Sequence, residues 1–530
     1  MNNEGTMKTF MKGAVLLTLA GFVVKLLSAV YRVPFQNMVG DQGFYIYQQV
    51  YPFIGIFAAW TSYGFAVAVS KVLADASDGD QGGILRIAFG FIAAVSILVF
   101  GGLYFGAGRL ADWMGDPLLA PLLEAGAFAV LLMPVLAVLK GLFQSRNDMA
   151  PVAYAQVAEQ AARVSVILIG TWIVVSSGFS LYAAGQTAML GAAAGGIAGA
   201  ILLAVFFRKR LIPFPQASAL KKWPIIKALL AVSLSVSMSS LILLFFQLAD
   251  SFTVFRLLTE NGMGRMAAME QKGVYDRGQP LVQFGLLIAS SLALAIVPLV
   301  AHMAKKQGGR SAEVYAQLAF RISFLFAVAS AAGLAFVMPY VNEMLFQTRD
   351  GSAALIVFSW QIVWMSLILV MAAMLHGLGK VKVPALLLAG GLAVKVIGNA
   401  LLVPLWGVSG AALAGNIGLA AIVAGLFWYF KRVWPIRFAP RRYYGWIFLA
   451  SAAMGVIVTS WALFADMVLF DAFSSRMQAL CTALTAVALG AAVFMALIAK
   501  SRIITEKQWY IMPFGRKIAG LQLLIRKQKR

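Results

Sequence analysis

Apolar runs of 18 or more residues recur along this chain from end to end. Each run can cross a membrane as a helix, because the hydrocarbon core is about 30 Å thick and a helix rises about 1.5 Å per residue. Of the 530 residues, 61% are apolar and 12% are charged, which is about half the charged share that is usual in globular domains. The sequence therefore predicts an all-α membrane protein with many crossings.

Clusters of charged residues, glycine and proline divide the chain into about fourteen apolar segments, each of a length that suits a membrane helix. The segments lie near residues 11–38, 44–71, 85–107, 122–143, 150–175, 186–207, 225–256, 278–304, 316–340, 353–377, 382–404, 408–430, 444–467 and 477–499.

The positions of lysine and arginine test this division. Of the 43 cationic residues, 32 fall in the two termini and in alternate loops counted from the N-terminus, 7 in the opposite loops and 4 within the predicted helices. The positive-inside rule then places both termini in the cytoplasm. The net charge of +23 is therefore interpreted as a topology signal and as attraction to anionic membrane lipids, with no nucleic acid as partner.

An internal repeat appears at an offset of about 230 residues. Gly-Phe-Tyr at 43–45 with Gln49 recurs as Gly-Val-Tyr at 273–275 with Gln279. Further matched pairs are Pro151 with Pro384, Arg163 with Lys395, and Tyr31-Arg32 with Phe255-Arg256. This offset equals six crossings, so both copies keep the same orientation, and such repeats are related by an axis along the membrane normal. The predicted parts are two six-helix lobes (1–210 and 211–432), two extra helices (433–500) and a basic cytoplasmic tail (501–530).

Two cations interrupt the first apolar segment. Lys25 and Arg32 are seven residues apart, about two helical turns, so both can project from one face roughly 10 Å apart. A charge at bilayer depth costs about 2.5–3.5 kcal/mol on insertion scales and usually faces protein or water. The spacing suits a ligand with two linked anionic groups. The alternative is that these side chains extend to the membrane interface, which is easier for Arg32 than for Lys25.

The fifth predicted helix carries Glu159 four residues before Arg163, the favourable orientation for an ion pair on a helix, so we expect the two to neutralise each other. Its repeat counterpart, Lys395, has Gly391 at the equivalent position. Lys395 is therefore a candidate cavity cation, with packing beside Asn399 as the alternative.

Asp250 is one of few acids far inside a predicted helix. Such an acid binds Na⁺ or a proton for coupling, or pairs with a cation, which we expect from the other lobe. Glu159 is the second coupling candidate. Arg277 follows a loop, expected to be solvated, that contains Glu260, Arg265, Glu270 and Lys272. Arg277 adjoins the repeated tyrosine and is the candidate for an external gate.

The sequence contains none of the nucleotide-binding, serine-hydrolase or zinc-protease motifs. Its single cysteine, Cys481, and its distant histidines, His302 and His376, indicate no metal site. We predict a protein that is not an enzyme and has no cofactor. Any active transport then draws on the membrane potential, Na⁺ or H⁺.

Residues 25–34 (Lys-Leu-Leu-Ser-Ala-Val-Tyr-Arg-Val-Pro) and 40–45 (Gly-Asp-Gln-Gly-Phe-Tyr) resemble the stage V sporulation protein B branch of the multidrug/oligosaccharidyl-lipid/polysaccharide (MOP) exporter superfamily. Tyr275-Asp276-Arg277 is similar to the start of helix 8 in the MurJ-type lipid II flippases. The resemblance extends over essentially the whole chain. Lysine at position 25, where those flippases have arginine, lacks the bidentate guanidinium fork.

The resemblance implies a cationic cavity with alternating access, in which Lys25, Arg32 and Arg277 contact the pyrophosphate and headgroup, and in which helices 13 and 14 line a groove for the polyprenyl tail. The implied function is a monomeric flippase in the bacterial cell membrane that moves an undecaprenyl-pyrophosphate-linked saccharide, expected to be lipid II, to the outer leaflet. The alternatives are a cation-coupled multidrug antiporter of the same fold and a non-transporting scaffold in cell-wall or spore assembly. The candidate cavity residues are Lys25, Arg32, Arg256, Arg277 and Lys395, and the coupling candidates are Asp250 and Glu159.

Overall fold

The computed structural model describes residues 3–209, 220–287, 310–380, 382–434, 436–469, 474–509, 519–520 and 522. Within these ranges the regular structure is entirely helical, with no strand. Eleven helical segments of the described chain are long and apolar enough to cross a membrane. The prediction of an all-α, multi-pass membrane protein is confirmed.

Two of these eleven segments are long enough to cross twice. Leu16–Ala74 has 59 residues and Lys382–Val433 has 52, whereas one crossing needs about 20. The first is broken at Gly40 (φ 65°) and the second at Gly407 (φ 56°), a left-handed conformation that glycine adopts without a Cβ penalty. These breaks separate the predicted helices 1 and 2, and 11 and 12. The eighth predicted helix, 278–304, lies mostly outside the described residues.

By its internal packing the chain divides into two compact units. The first contains Met1–Pro280 and Lys395–Ala411, and the second contains Leu281–Val394 and Ala412–Arg530. This division follows the packing alone, and the predicted six-helix lobes stay a prediction. All contacts of the candidate site lie within the first unit.

Thirteen α-helices precede residue 288 in the described chain, and they form most of the first unit. They are α1 (Asn3–Val30), α2 (Arg32–Ala59), α3 (Ala66–Ala74), α4 (Gln81–Phe105), α5 (Ala107–Trp113), α6 (Ala120–Ala127), α7 (Met133–Ser145), α8 (Met149–Ser165), α9 (Thr171–Ser176), α10 (Leu181–Lys209), α11 (Lys222–Glu260), α12 (Arg265–Asp276) and α13 (Gly278–Gly285). Single π-helical turns follow α2 at Trp60–Phe65 and α8 at Val166–Gly170.

Helix α2 is central to the first unit. Residues 43–50 are all buried, and the helix packs against α10, α11 and α12. A helix that is buried on every face lies inside a protein rather than at its surface. Any polar side chain on this part of α2 therefore needs a partner inside the protein.

The remaining described helices belong largely to the second unit. They are α14 (Arg310–Phe346), α15 (Ser352–Ser359), α16 (Gln361–Gly377), α17 (Lys382–Val433), α18 (Arg441–Phe464), α19 (Ser475–Ser501) and α20 (Glu506–Trp509). The two C-terminal membrane helices, α18 and α19, pack against each other and against α14. Residues Lys395–Ala411 of α17 belong to the first unit. The predicted basic tail lies mostly outside the described residues.

Candidate functional site

Two guanidinium groups of the first unit lie over the same tyrosine ring. The Cζ atom of Arg32 is 4.6 Å, and that of Arg163 is 5.5 Å, from the centroid of the Tyr51 ring. Arg32 also lies 6.0 Å from the ring of Tyr31, whose hydroxyl is hydrogen-bonded to the Tyr47 hydroxyl at 2.7 Å. We call these five residues the tyrosine–arginine cluster.

Local sequence accounts for the placement of the cluster. Pro34 has no N–H to bond the Val30 carbonyl, so one bond of the helical ladder is missing between α1 and α2, although Tyr31 keeps helical backbone angles (φ −61°, ψ −24°). Arg32 therefore begins α2 at a break in the helical ladder. Tyr47 and Tyr51 are four residues apart on α2, so they share one face of that helix.

Among the described residues, no group meets hydrogen-bond geometry with a nitrogen atom of the Arg32 guanidinium. The side chain is fully buried, and none of Nε, Nη1 and Nη2 bonds to a described residue. The Nε atom of Arg163 is likewise buried without a partner in the described chain. A desolvated cation–π contact gives about 2 kcal/mol, whereas burying an ion costs several kcal/mol. The aromatic rings therefore compensate the buried charge only in part.

Every other buried lysine or arginine in the described ranges has a carboxylate partner. The pairs are Lys140–Glu159 at 2.8 Å, Lys272–Asp276 at 2.6 Å, Arg277–Asp41 at 2.6 Å and Lys395–Asp250 at 2.7 Å. Arg32 is the one buried cation of the described chain without such a partner. Its arrangement suits an anion that is supplied from outside the protein.

Arg277 is held by Asp41 rather than free to act alone. The fully buried Arg277 donates from Nε at 2.9 Å and from Nη2 at 2.7 Å to Asp41 Oδ1, and from Nη2 at 2.6 Å to Oδ2. Gln36 also donates to Asp41 Oδ1, at 2.9 Å. A Cβ atom at Gly273 would lie 2.1 Å from the Asp41 carbonyl oxygen. Glycine is therefore needed where α12 approaches the chain after Gly40.

Asp250 on α11 and Lys395 on α17 form a buried ion pair. Of the two predicted alternatives for Asp250, this is pairing with a cation. Tyr275 donates to Asp250 Oδ2 at 2.7 Å, and Asn399 donates to Oδ1 at 2.9 Å. The prediction that the cation comes from the other lobe is wrong. Lys395 and Asp250 both lie in the predicted lobe 211–432. The chain around the break at Gly407 lies against the end of α11, where Asn261 donates to the Pro404 carbonyl at 2.9 Å.

The predicted Glu159–Arg163 ion pair is wrong. Glu159 accepts instead from Lys140, which also donates to the Ser62 hydroxyl at 3.1 Å. Spacing on one helix permits an ion pair but does not require it. Lys140 on α7 is fully buried, so its charge has to be compensated by a carboxylate inside the protein. Arg163 thus keeps its charge and joins Arg32 at Tyr51.

The two other predicted cavity cations lie in less buried surroundings. Lys25 is exposed on α1 and pairs with no described carboxylate. Arg256 is 54% exposed and forms an ion pair with Glu260, one turn along α11, at 2.7 Å. The structure places neither side chain in contact with the tyrosine–arginine cluster.

The segment between Glu260 and Arg277, expected to be a solvated loop, contains helix α12. Lys272 and Asp276 pair inside the protein, and Lys272 lies 5.2 Å from the Tyr275 ring centroid. Burial raises the pKa of Asp276 to about 6, outweighing the charges of Lys272 and Arg32, which lower it. The polar, amphipathic sequence of α12 was the signal that a helix lay here.

A second polar group missed by the sequence analysis surrounds Asp116. This fully buried carboxylate pairs with Arg265 at the start of α12 and accepts from the hydroxyls of Tyr182 at 2.8 Å and Tyr45 at 3.2 Å. It fixes the start of α12, whereas the Asp41–Arg277 pair fixes the residue after its end. Asp116 and Arg265 lie in short polar connections between apolar runs, and nothing in the sequence of those connections indicated that the two residues would pair.

Comparison with known proteins identifies relatives along nearly the whole chain. The model of the polysaccharide biosynthesis protein family matches residues 10–304. The uncharacterized membrane protein YabM of Bacillus subtilis (strain 168) is 39% identical over 516 residues, 96% of each chain. Stage V sporulation protein B of the same organism is 29% identical over 66% of this chain and 68% of its own. The lipid II flippase MurJ of the same organism is 24% identical over 92% of this chain and 94% of its own.

Solved structures show the same fold. The lipid II flippase MurJ in an inward closed conformation matches with a TM-score of 0.69 over 92% of this chain and 98% of its own, at 15% identity. An inward-facing multidrug resistance MATE family transporter of the MOP superfamily matches with a TM-score of 0.62 over 78% of this chain and 94% of its own. The resemblance drawn from residues 25–45 is confirmed. The chain belongs to the polysaccharide biosynthesis protein family, and its fold is that of MurJ and of the MATE transporters of the MOP superfamily.

Proposed function

We propose that this protein is a flippase that moves an undecaprenyl-pyrophosphate-linked saccharide, with lipid II as the expected cargo, from the inner to the outer leaflet by alternating access. The tyrosine–arginine cluster receives the pyrophosphate. One observation carries the proposal: Arg32 is fully buried, and its three guanidinium nitrogens have neither a carboxylate nor a hydrogen-bond partner among the described residues.

The physical task of such a flippase is to carry a pyrophosphate and its sugars past hydrocarbon. Guanidinium groups replace the water around phosphate oxygens with charge-assisted hydrogen bonds, often two in parallel. Arg32 and Arg163, both at Tyr51, offer two such forks to two linked phosphates. Because an empty site leaves Arg32 buried without an anion, the substrate gains more from binding there than it gains from a cation that is already paired.

The relatives support the same class of cargo. The B. subtilis relative aligned over 92% of this chain is named a lipid II flippase, and so is the solved structure with the TM-score of 0.69. YabM, at 39% identity, has no activity in its name. We extend the lipid-linked cargo to this protein together with placement in the bacterial cell membrane as a monomer, with both termini in the cytoplasm.

A cation-coupled multidrug antiporter is the competing function, and the pattern of pairing disfavours it. An antiporter for cationic drugs needs an acid that is available to the drug or to its coupling ion. The three fully buried acids of the described first unit each have a cationic partner. These acids are Asp116 with Arg265, Asp250 with Lys395 and Asp276 with Lys272. The charge left over in the described interior is positive, which suits an anionic cargo.

The test is lipid II translocation in cells depleted of their own flippase and supplied with variants of this protein. Arg32→Gln removes the charge, and Arg32→Lys keeps the charge but removes the fork. Loss of one charged hydrogen bond is worth about 1.5–3 kcal/mol, so we expect Arg32→Gln to reduce translocation by about tenfold or more and Arg32→Lys to fall between.

The matched control is Arg349→Gln, since Arg349 is 44% exposed and paired with Glu343 in the second unit. We expect this variant to translocate at the wild-type rate. Full activity of Arg32→Gln would remove the basis of the proposal. Normal activity of Arg32→Gln with loss on Asp250→Asn alone would favour the antiporter, and a wild type that translocates no lipid II would favour the scaffold.

A further inference from the structure

The ammonium group of Lys395 is surrounded by oxygen atoms as a bound cation would be. The side chain is buried, with 1% exposed. Its Nζ atom lies 2.7 Å from Asp250 Oδ1, 3.0 Å from the main-chain oxygen of Ala411 and 3.4 Å from the Tyr275 hydroxyl. A carboxylate, a carbonyl and a hydroxyl are the oxygen ligands that proteins use for hard cations.

Asn399, which contacts Asp250, has an amide oxygen that nothing in the described chain uses. Its amide nitrogen donates to Asp250 Oδ1 at 2.9 Å and to the Thr253 hydroxyl at 2.8 Å. Its Oδ1 atom is buried and has no partner among the described residues. An ion pair built only for packing would need neither this acceptor nor the Ala411 carbonyl. The three oxygen atoms around Lys395 Nζ match the three N–H donors of one ammonium, and the Asn399 oxygen is left as an unused buried acceptor of the group.

The position of the group in the chain supports a functional role. Asp250 and Lys395 lie in segments that are long and apolar enough to cross the membrane. A buried ion pair is often no more stabilising than apolar residues of the same volume. Ionisable residues inside membrane helices are therefore interpreted first as parts of ion or substrate pathways.

We propose that the Lys395 ammonium is a covalently attached cation that occupies an alkali-cation site formed by Asp250, Tyr275, Asn399 and the Ala411 carbonyl. The protein thereby carries its own cation at the residue where an exchangeable coupling ion would bind. Transport is then independent of Na⁺ and K⁺ at this site. That consequence rests on the proposed function, whereas the site itself does not.

Removing the ammonium makes the site testable by gain of function. Lys395→Met keeps an unbranched side chain but leaves the Asp250 carboxylate buried among unused oxygen atoms, so an alkali cation now has a site to fill. A ligand that binds only the folded protein raises its melting temperature. We expect Lys395→Met to melt lower than the wild type in N-methylglucamine chloride, and to regain about 2 °C or more in NaCl or KCl at equal ionic strength.

The measurement is thermal unfolding of the full chain in detergent, with saturable binding of radioactive sodium or rubidium in parallel. The wild type is expected to melt at one temperature in all three salts and to bind neither ion. Lys395→Met is expected to bind, and the double variant with Asp250→Asn to lose that binding. Lys140→Met, which leaves the partly exposed Glu159 without its lysine, controls for general effects of a lost pair and is expected to show no selective response to alkali ions.

Two outcomes would overturn the proposal. One is a Lys395→Met variant that melts equally in the three salts and binds no ion. The other is saturable ion binding by the wild type that Asp250→Asn abolishes, and this outcome can be observed even where Lys395→Met does not fold. Neither depends on a lipid substrate, so failure of the flippase proposal would leave this result standing, and the reverse also holds.

Discussion

The geometry of the Asp41–Arg277 pair predicts how much free energy of unfolding is lost when the pair is broken. Arg277 is fully buried and makes three contacts of 2.6–2.9 Å to a carboxylate that is 20% exposed. Breaking a buried pair by removing one partner costs about 3–5 kcal/mol, because the other charge stays buried. Since Asp41 reaches solvent in part, we take the lower end, about 3 kcal/mol, for Asp41→Asn.

Replacing the other partner of the pair, Arg277, is expected to lower the free energy of unfolding by less. In Arg277→Gln the remaining charge belongs to Asp41, which can turn toward solvent, so we expect about 1–2 kcal/mol. The double variant replaces the ions by two amides that hydrogen-bond to each other. Its loss is expected to be smaller than the sum of the single losses by about 2 kcal/mol, as for residues in direct contact.

The assay is thermal unfolding of the three variants in detergent at one pH and salt concentration. The melting temperature is expected to be lowest for Asp41→Asn, intermediate for Arg277→Gln, and no lower in the double variant than in Asp41→Asn. Arg256→Gln, which removes a largely exposed ion pair, is the control and is expected to melt close to the wild type. Wild-type stability of Asp41→Asn, or a double variant that loses the full sum, would refute the reasoning.

Three further predictions use the same assay. Arg32→Met is expected to raise the melting temperature, because an uncompensated buried charge is replaced by a flexible apolar side chain; a fall would mean that the charge is compensated. Gly273→Ala is expected to lower it, since its Cβ would lie 2.1 Å from the Asp41 carbonyl oxygen; an unchanged value would contradict that close approach. Burial raises the pKa of Asp276, which lies outside the candidate membrane spans, to about 6, so its contribution to stability is complete below pH 3.8 and is lost as pH rises through about 6. Asp276→Asn is expected to remove that part of the pH dependence, and an unchanged pH profile would argue against the raised pKa.

Much of the fold could be predicted from the sequence because a membrane restricts the options. Apolar length identified eleven segments that the described structure contains, and the breaks at Gly40 and Gly407 fall between predicted helices. Helix α12 was missed because it is polar and short. Its two ends are held by the pairs Arg265–Asp116 and Arg277–Asp41, which join residues far apart in sequence, and only tertiary structure reveals these.

The candidate site could be predicted in part. Arg32 was identified because a charge in an apolar run needs an explanation. The residues around it could not be predicted, since tyrosines in an apolar run, such as Tyr47 and Tyr51, do not indicate a neighbouring cation and Arg163 was expected to be neutralised. Asp250 and Lys395 were each noted as unusual, but their 145-residue separation hides the contact. Pairing across the fold depends on which carboxylate is nearest in space, and sequence spacing on one helix does not determine that.

The most direct test of the central claim is equilibrium binding of undecaprenyl pyrophosphate and undecaprenyl monophosphate to the purified wild type and to Arg32→Gln. We expect the wild type to bind the pyrophosphate at least about tenfold more tightly than the monophosphate, because two guanidinium groups meet two phosphates. We expect Arg32→Gln to lose most of this preference while remaining folded. Equal affinities for the two lipids in the wild type, or an undiminished preference in Arg32→Gln, would contradict a pyrophosphate site at the tyrosine–arginine cluster.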